Sequence, residues 1–210
     1  MHPQRAALAP AHHLVSGADL IAEAARLLDR GEVVVYPTET YYALGARIDR
    51  PAALERLLTL KGGREGQPIS VLVADLEMLR PWVRQLSPKA LRLIARHWPG
   101  PLTLVLPASP AVPAAIAAGS DTIGVRQSPN PIARSLLSAT GVPLTAPSAN
   151  PTGAAPADRV ETARAYFGDR VACYLDGGPT PGGLASTLAR IDDGRVTILR
   201  AGPIPLESME

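Results

Sequence analysis

Eight side chains spread from residue 40 to residue 200 carry the chemistry this chain could perform: Thr40, Lys61, Arg64, Arg126, Ser148, Asn150, Ser186 and Arg200. Lone cations converging with hydroxyl and amide groups suit a polyphosphate or a carboxylate, because ammonium and guanidinium groups neutralise oxyanions that hydroxyls then orient. A reaction run by such a set would work by positioning and by stabilising charge on a phosphoryl group, with no protein nucleophile. The sequence has no GxxxxGK[ST] loop, no GxGxxG after a strand, no HExxH and no GxSxG elbow, so a catalytic triad is poorly supported.

Each group sits where a chain turns. Glu32-Val33-Val34-Val35-Tyr36 is a β-branched apolar run that stops at Pro37, and Thr38-Glu39-Thr40-Tyr41-Tyr42 follows at once. The run reads as a buried strand and the polar cluster as its exit, the place where open α/β sheets hold ligands. Lys61 ends a helix that Pro51 opens, where a cation suits the helix dipole. Lys61 and Lys89 are the only lysines among many arginines, so Lys61 could mark a site needing a compact charge, whereas Lys89 starts an exposed helix. Ser148-Ala149-Asn150, between Pro147 and Pro151, has two readings. On an extended segment its polar side chains share one face and grip one ligand; alternatively the residues simply make a turn. The glycines of Asp176 to Gly183, before Ser186-Thr187, allow close backbone approach to a ligand.

The elements that must place these groups alternate between helix and strand. Helical stripes run over Leu20 to Leu28 up to Gly31, over Pro51 to Leu60, over Ser87 to Trp98, and around Pro131 to Ala139 and Asp158 to Phe167. Strands are expected at 32–36, 68–73, 102–106, 122–126, 144–146, 171–175, 186–191 and 196–200, with Asp192-Asp193-Gly194 turning the last pair. The pattern predicts an α/β fold with a twisted mixed sheet and flanking helices.

The 210 residues suggest one domain, read over 16–205, after a loose N-terminal arm over 1–15 whose His2, His12 and His13 are not expected to form a metal site. A formal net charge of +2 is too small to argue for nucleic acid. Cys173 is the single cysteine, so no internal disulfide can form; it sits in an apolar run and reads as a core thiol in a reducing, cytoplasmic protein. No apolar run approaches the ~20 residues of a membrane span, and the start does not resemble a signal peptide.

These boxes, taken together and in order, resemble the YrdC family of L-threonylcarbamoyladenylate synthases (YrdC/YciO-like domains). The resemblance rests on Tyr36-Pro37-Thr38-Glu39-Thr40 with Leu44-Gly45, Lys61-Gly62 through Pro68-Ile69, and Trp98-Pro99-Gly100-Pro101-Leu102-Thr103. It continues through Gly124-Val125-Arg126, Pro147-Ser148-Ala149-Asn150, the Asp176 to Thr187 loop and Ile198-Leu199-Arg200. It implies a concave, positively charged cavity, large enough for a nucleoside triphosphate. It also implies a nucleotidyltransferase joining L-threonine, bicarbonate and ATP into threonylcarbamoyl-AMP, with Mg2+ as the ATP counter-ion. A downstream transferase would then use the product on tRNA. By position, Thr40, Arg126 and Ser186 would hold threonine, and Lys61, Thr122, Ser148, Asn150 and Arg200 would hold ATP. Lys61, Arg64, Ser148 and Asn150 would form the catalytic set. Aligned without a gap from Lys61 to Pro68, the family's arginine position falls on Gly63, with Arg64 one place later. Leu72 stands where many members have histidine. Those departures define a second expectation: a paralogue without synthase activity that binds nucleotide, tRNA or double-stranded RNA in the same cavity.

Overall fold

The computed structural model describes residues 17–62, 66–192 and 194–209, so the arm read over 1–15 and the Gly63–Arg64 departure lie outside the described residues. Helix α1 (Gly17–Asp29) buries Ala24, Ala25 and Leu28, while Leu20, expected on the same stripe, is exposed. Strands β1 (Val34–Pro37) and β2 (Tyr42–Gly45) form an antiparallel hairpin. The second of these was read from sequence only as polar chemistry after a strand. Its four residues are all buried, and the register Pro37↔Tyr42 leaves Thr38 to Tyr41 as the connecting loop.

Helix α2 (Pro51–Lys61) starts on the expected proline and ends at Gly62, whose φ of 67° lets its N–H return to the carbonyls of Leu58 and Thr59. The expected strand at 68–73 pairs only over β3 (Val71–Leu72). One-turn α3 (Leu76–Leu79) and the Ser87-capped α4 (Pro88–His97) follow, then β4 (Leu102–Pro107), α5 (Ala114–Ala117) and β5 (Thr122–Arg126). Asn130 caps α6 (Pro131–Thr140), which leads to β6 (Leu144–Thr145), α7 (Val160–Phe167) and β7 (Cys173–Tyr174). Strands β8 (Thr187–Asp192) and β9 (Arg195–Arg200) close the chain as an antiparallel pair.

The mixed α/β layering expected from the pattern is present, divided between two sheets. A six-stranded mixed sheet runs β6-β3-β5-β4-β8-β9, and a smaller one runs β2-β1-β7. Two isolated bridges, Ala43↔Ser148 and Arg47↔Leu144, join the hairpin to the segment around β6. Strand β1 explains the join: Val33 and Val35 enter the main core, while Val34 and Tyr36 point the other way, into a second core under α1 and α6. A strand buried on both faces reads as one unbroken apolar run, which is what residues 33–36 show. Pro37 is tolerated because β7 pairs only with Val34 and Val35, so no partner needs its missing N–H. Cys173 packs half-buried against the second core, and burial raises its thiol above the ordinary range, so it stays protonated and inert.

Among the described residues no helix is long and apolar enough to cross a membrane. Truncating a core side chain of β2 checks the hairpin directly. Leu44→Ala, at a fully buried position, is expected to cost about 2–5 kcal/mol in urea unfolding with an unchanged denaturant slope.

Candidate functional site

The carboxyl end of β5, the loop between β1 and β2, the turn after β6 and the approach to β8 open onto one hollow. Its wall carries Thr38, Thr40, Ser70, Thr103, Arg126, Ser148, Ser186 and Arg200, with Tyr41, Tyr42, Leu72 and Ala146 among the remaining lining residues. It holds about 140 Å³. That is below the ~300–1,000 Å³ of sites enclosing drug-sized ligands. A hollow for a whole nucleoside triphosphate was expected; an amino-acid-sized group fits within, and a nucleotide would extend past the mouth.

Arg126 forms the depth of the site at 6 % exposure. Burial lowers its guanidinium from the ordinary value to about 10, and the like charge of Arg200 works in the same direction. Arg126 therefore keeps its proton at neutral pH. Its counter-ion is Glu39, which pairs with Nη1 from the hairpin loop. Arg200 stands at the exposed mouth. Its Nε and Nη2 both donate to the Ser186 carbonyl, at 3.1 and 2.9 Å, and Nη2 also reaches Ser186 Oγ at 3.1 Å. The Ser186 hydroxyl lies 2.8 Å from Thr103 Oγ1. Between Ser70, just before β3, and Thr103 of β4 sits Gly124, where a Cβ would come within 3.3 Å of Ser70 Oγ and 3.6 Å of Thr103 Cγ2.

Thr40 lines the hollow and shares a 3.1 Å hydrogen bond with Thr38. The buried Thr38 hydroxyl organises the loop: it donates to the Tyr41 carbonyl at 2.7 Å and accepts from the amides of Thr40 and Tyr41. The glycine-rich loop is tied down over this hairpin. Tyr42 donates to the Gly178 carbonyl at 2.7 Å and accepts from Gly177 N–H at 3.1 Å, while Tyr41 donates to the Gly183 carbonyl at 2.6 Å. Gly177 has to be small, since a Cβ would stand 2.8 Å from Pro37 Cγ and 2.9 Å from Ile132 Cδ1.

Lys61 and Asn150 act from behind the wall. The 3 %-exposed Lys61 sends Nζ to the carbonyls of Ser148 and Asn150, at 2.9 and 2.5 Å. Asn150 N–H donates to the Ser148 carbonyl at 2.9 Å, so Ser148-Ala149-Asn150 is a tight turn and not an extended segment. Its two side chains still meet, with Ser148 Oγ donating to Asn150 Oδ1 at 2.5 Å. Asn150 Nδ2 is committed to the carbonyls of Pro151 and Ala154. Only Ser148 of this turn reaches the hollow.

Among the sequence candidates, the structure thus brings together Thr40, Arg126, Ser148, Ser186 and Arg200, with Lys61 and Asn150 supporting the Ser148 turn. Thr122 lies apart. It starts the strand that Arg126 ends, about 13 Å away along β5, and its hydroxyl pairs with Ser120. Its expected contact with ATP is therefore not carried forward. Arg64 falls outside the described residues. Sequence reasoning passed over Glu39, Thr38, Tyr42 and Thr103, although Glu39 and Thr38 stood inside the box already singled out.

The family model of Sua5/YciO/YrdC proteins, described as telomere recombination, matches residues 26–202. The chain belongs to this family. Threonylcarbamoyl-AMP synthases of Bacillus subtilis and Pyrococcus abyssi are 38 % and 37 % identical to it over 90 % and 89 % of its length. The chain spans about 55 % of the length of these relatives. The synthase of Halorhodospira halophila is 39 % identical over 75 % of this chain and 82 % of its own. In three dimensions the chain is similar to P. abyssi Sua5 complexed with L-threonine, with a TM-score of 0.88 at 34 % identity, covering 94 % of this chain and 58 % of that one. Escherichia coli YciO matches with a TM-score of 0.82 at 28 % identity over 92 % and 94 % of the two chains.

Removing the Lys61 ammonium while keeping its stem isolates its role behind the turn. Lys61→Met is expected to take the ammonium donor from the Asn150 carbonyl and leave the Ser148 carbonyl only its bond from Asn150 N–H, to cost about 1–3 kcal/mol, and to speed hydrogen exchange at Asn150 and Thr152 above the rest of the chain.

Proposed function

We propose that this chain makes threonylcarbamoyl-AMP from L-threonine, bicarbonate and ATP, releasing pyrophosphate. The observation that carries the reading is the convergence of Arg126, Arg200, Thr40 and Ser186 on one hollow of amino-acid size. The relatives that share the name and P. abyssi Sua5 complexed with L-threonine support it.

The chemistry needs no covalent intermediate with the protein. Threonine's amine and bicarbonate give a carbamate and water; a carbamate oxygen attacks the α-phosphorus of ATP, and pyrophosphate leaves with the electron pair of the broken P–O bond. Arg126 would hold the threonine carboxylate, since a guanidinium matches two oxygens at once, with the hydroxyls of Thr40 and Ser186 orienting the amino acid. Arg200 at the mouth and Ser148 on its turn would meet the phosphates that extend beyond the hollow, and Lys61 would add positive charge from behind. Arg64, three residues after Lys61 in sequence, remains a proposed member of the phosphate set.

Among the described residues no group of three or more His, Cys, Asp or Glu side chains could hold a metal. Mg2+ in this reading accompanies the triphosphate, where it would offset charge on the departing pyrophosphate. The product would pass to an enzyme that transfers the threonylcarbamoyl group to tRNA, in a cytoplasmic setting. The alternative of RNA or nucleotide binding without synthesis drew on Gly63, and no observed feature of the site favours it.

Incubation with ATP, 13C-bicarbonate and each amino acid in turn is expected to yield a labelled acyl-AMP with threonine, detected by mass, together with pyrophosphate. Arg126→Ala is expected to lower kcat/KM for threonine by about 10²-fold or more. Absence of the adenylate from wild-type protein at any threonine concentration would refute the reading.

A further inference from the structure

We infer that Glu39 is a positioning residue for threonine, holding the Arg126 guanidinium in the orientation that receives the substrate carboxylate; the inference rests on the synthase reading of the same hollow. Glu39 and Arg126 lie far apart in sequence, Glu39 in the hairpin loop of the smaller sheet and Arg126 at the end of a strand of the larger one. Their side chains are only 14 % and 7 % exposed. An exposed ion pair contributes little, but this one is shielded, and its loss would leave a charge without a partner in a poorly solvated place.

The carboxylate is held on both oxygens. Oε1 meets Arg126 Nη1, and Oε2 accepts from Ser128 Oγ at 2.5 Å. Ser128 Oγ in turn accepts from Asn130 N–H at 3.2 Å, and Asn130 caps α6 with its own side chain. Glu39 is thereby fastened to the end of β5 and the start of α6, where a negative charge suits the helix dipole. Its backbone belongs to the same four-residue loop as Thr38 and Thr40.

One carboxylate thus fixes two things that threonine would touch. It orients the guanidinium of an arginine that lines the hollow, and it pins the loop that presents Thr40. A general-base role fits poorly: Glu39 is not among the residues lining the hollow, its Oε2 accepts from Ser128 and its Oε1 faces the Arg126 guanidinium. Ordinary structural ballast would affect both substrates alike. A positioning role should fall on threonine alone.

The test compares the wild-type chain with Glu39→Gln, Glu39→Asp and Ser128→Ala. Glu39→Gln is expected to raise KM for threonine about tenfold or more, while KM for ATP stays within about twofold. Ser128→Ala, which keeps the carboxylate and removes one tether, should move threonine KM about threefold in the same direction, and it serves if Glu39→Gln folds poorly. Glu39→Asp should recover part of the loss. Adding Glu39→Gln to Arg126→Ala should cost nothing further, because the two residues act as one unit. A second readout needs no turnover: the Arg126 guanidinium N–H signals in 15N spectra should be resolved in wild type and averaged by rotation in Glu39→Gln. Unchanged threonine KM, an equal rise for both substrates, or an unaltered Arg126 signal would each overturn the inference. Should wild type make no adenylate, the synthase reading fails on that result, whereas the Arg126 signal still decides whether Glu39 orients the guanidinium.

Discussion

A guanidinium that water scarcely reaches is the constraint around which this site is built. Arg126 ends the central strand of the larger sheet, deep in the hollow, with a second arginine close enough to work against its charge. Such a group persists only where the fold delivers an anion to it. The delivery comes from the other sheet, through Glu39, and this explains why the hairpin must close tightly against β5. The buried hydroxyl of Thr38, the tyrosine bonds to the glycine-rich loop and the bridge between Ala43 and Ser148 all keep that hairpin in place. Charge burial and the meeting of two sheets are one problem with one solution.

The two cations outside the depth of the hollow follow different rules. Arg200 is exposed at the mouth and folds back on Ser186, whose carbonyl accepts from both its Nε and its Nη2. Lys61 is enclosed, and its ammonium is held by two carbonyl oxygens of the turn it supports. Lysine suits that place because three donors on a compact ammonium can turn to two converging carbonyls, whereas a guanidinium is larger and fixes its donor directions in a plane.

Much of this was legible in the residues. Hydrophobic periodicity marked the long helices and the β4, β5, β8 and β9 strands, because each buries one regular face. The proline that opens Lys61's helix and the cation at its far end marked that helix's limits. Strand β2 was missed because Tyr42-Ala43-Leu44-Gly45 carries a phenol and a glycine, and its strand character comes from pairing with β1, a tertiary effect. Lys61, Asn150 and Ser148 were recognised as a group, but their side-chain directions were not. Whether an ammonium faces a ligand or a backbone carbonyl depends on how a distant turn folds, and spacing holds no record of that. Thr122 illustrates the same gap: it belongs to the right strand and lies at the wrong end of it.

Glu39 was overlooked for a related reason. An acid in a set of presumed anion binders reads as an intruder until the cation it neutralises is seen beside it.

Gly124 carries a consequence of another kind. It lies between Ser70 and Thr103 with barely the space a methyl group would need. The floor of the hollow is therefore shaped partly by an omission. A single added carbon there would press on the Ser70 hydroxyl that lines the hollow, so the shape of the chamber depends on a residue that is not itself part of its wall.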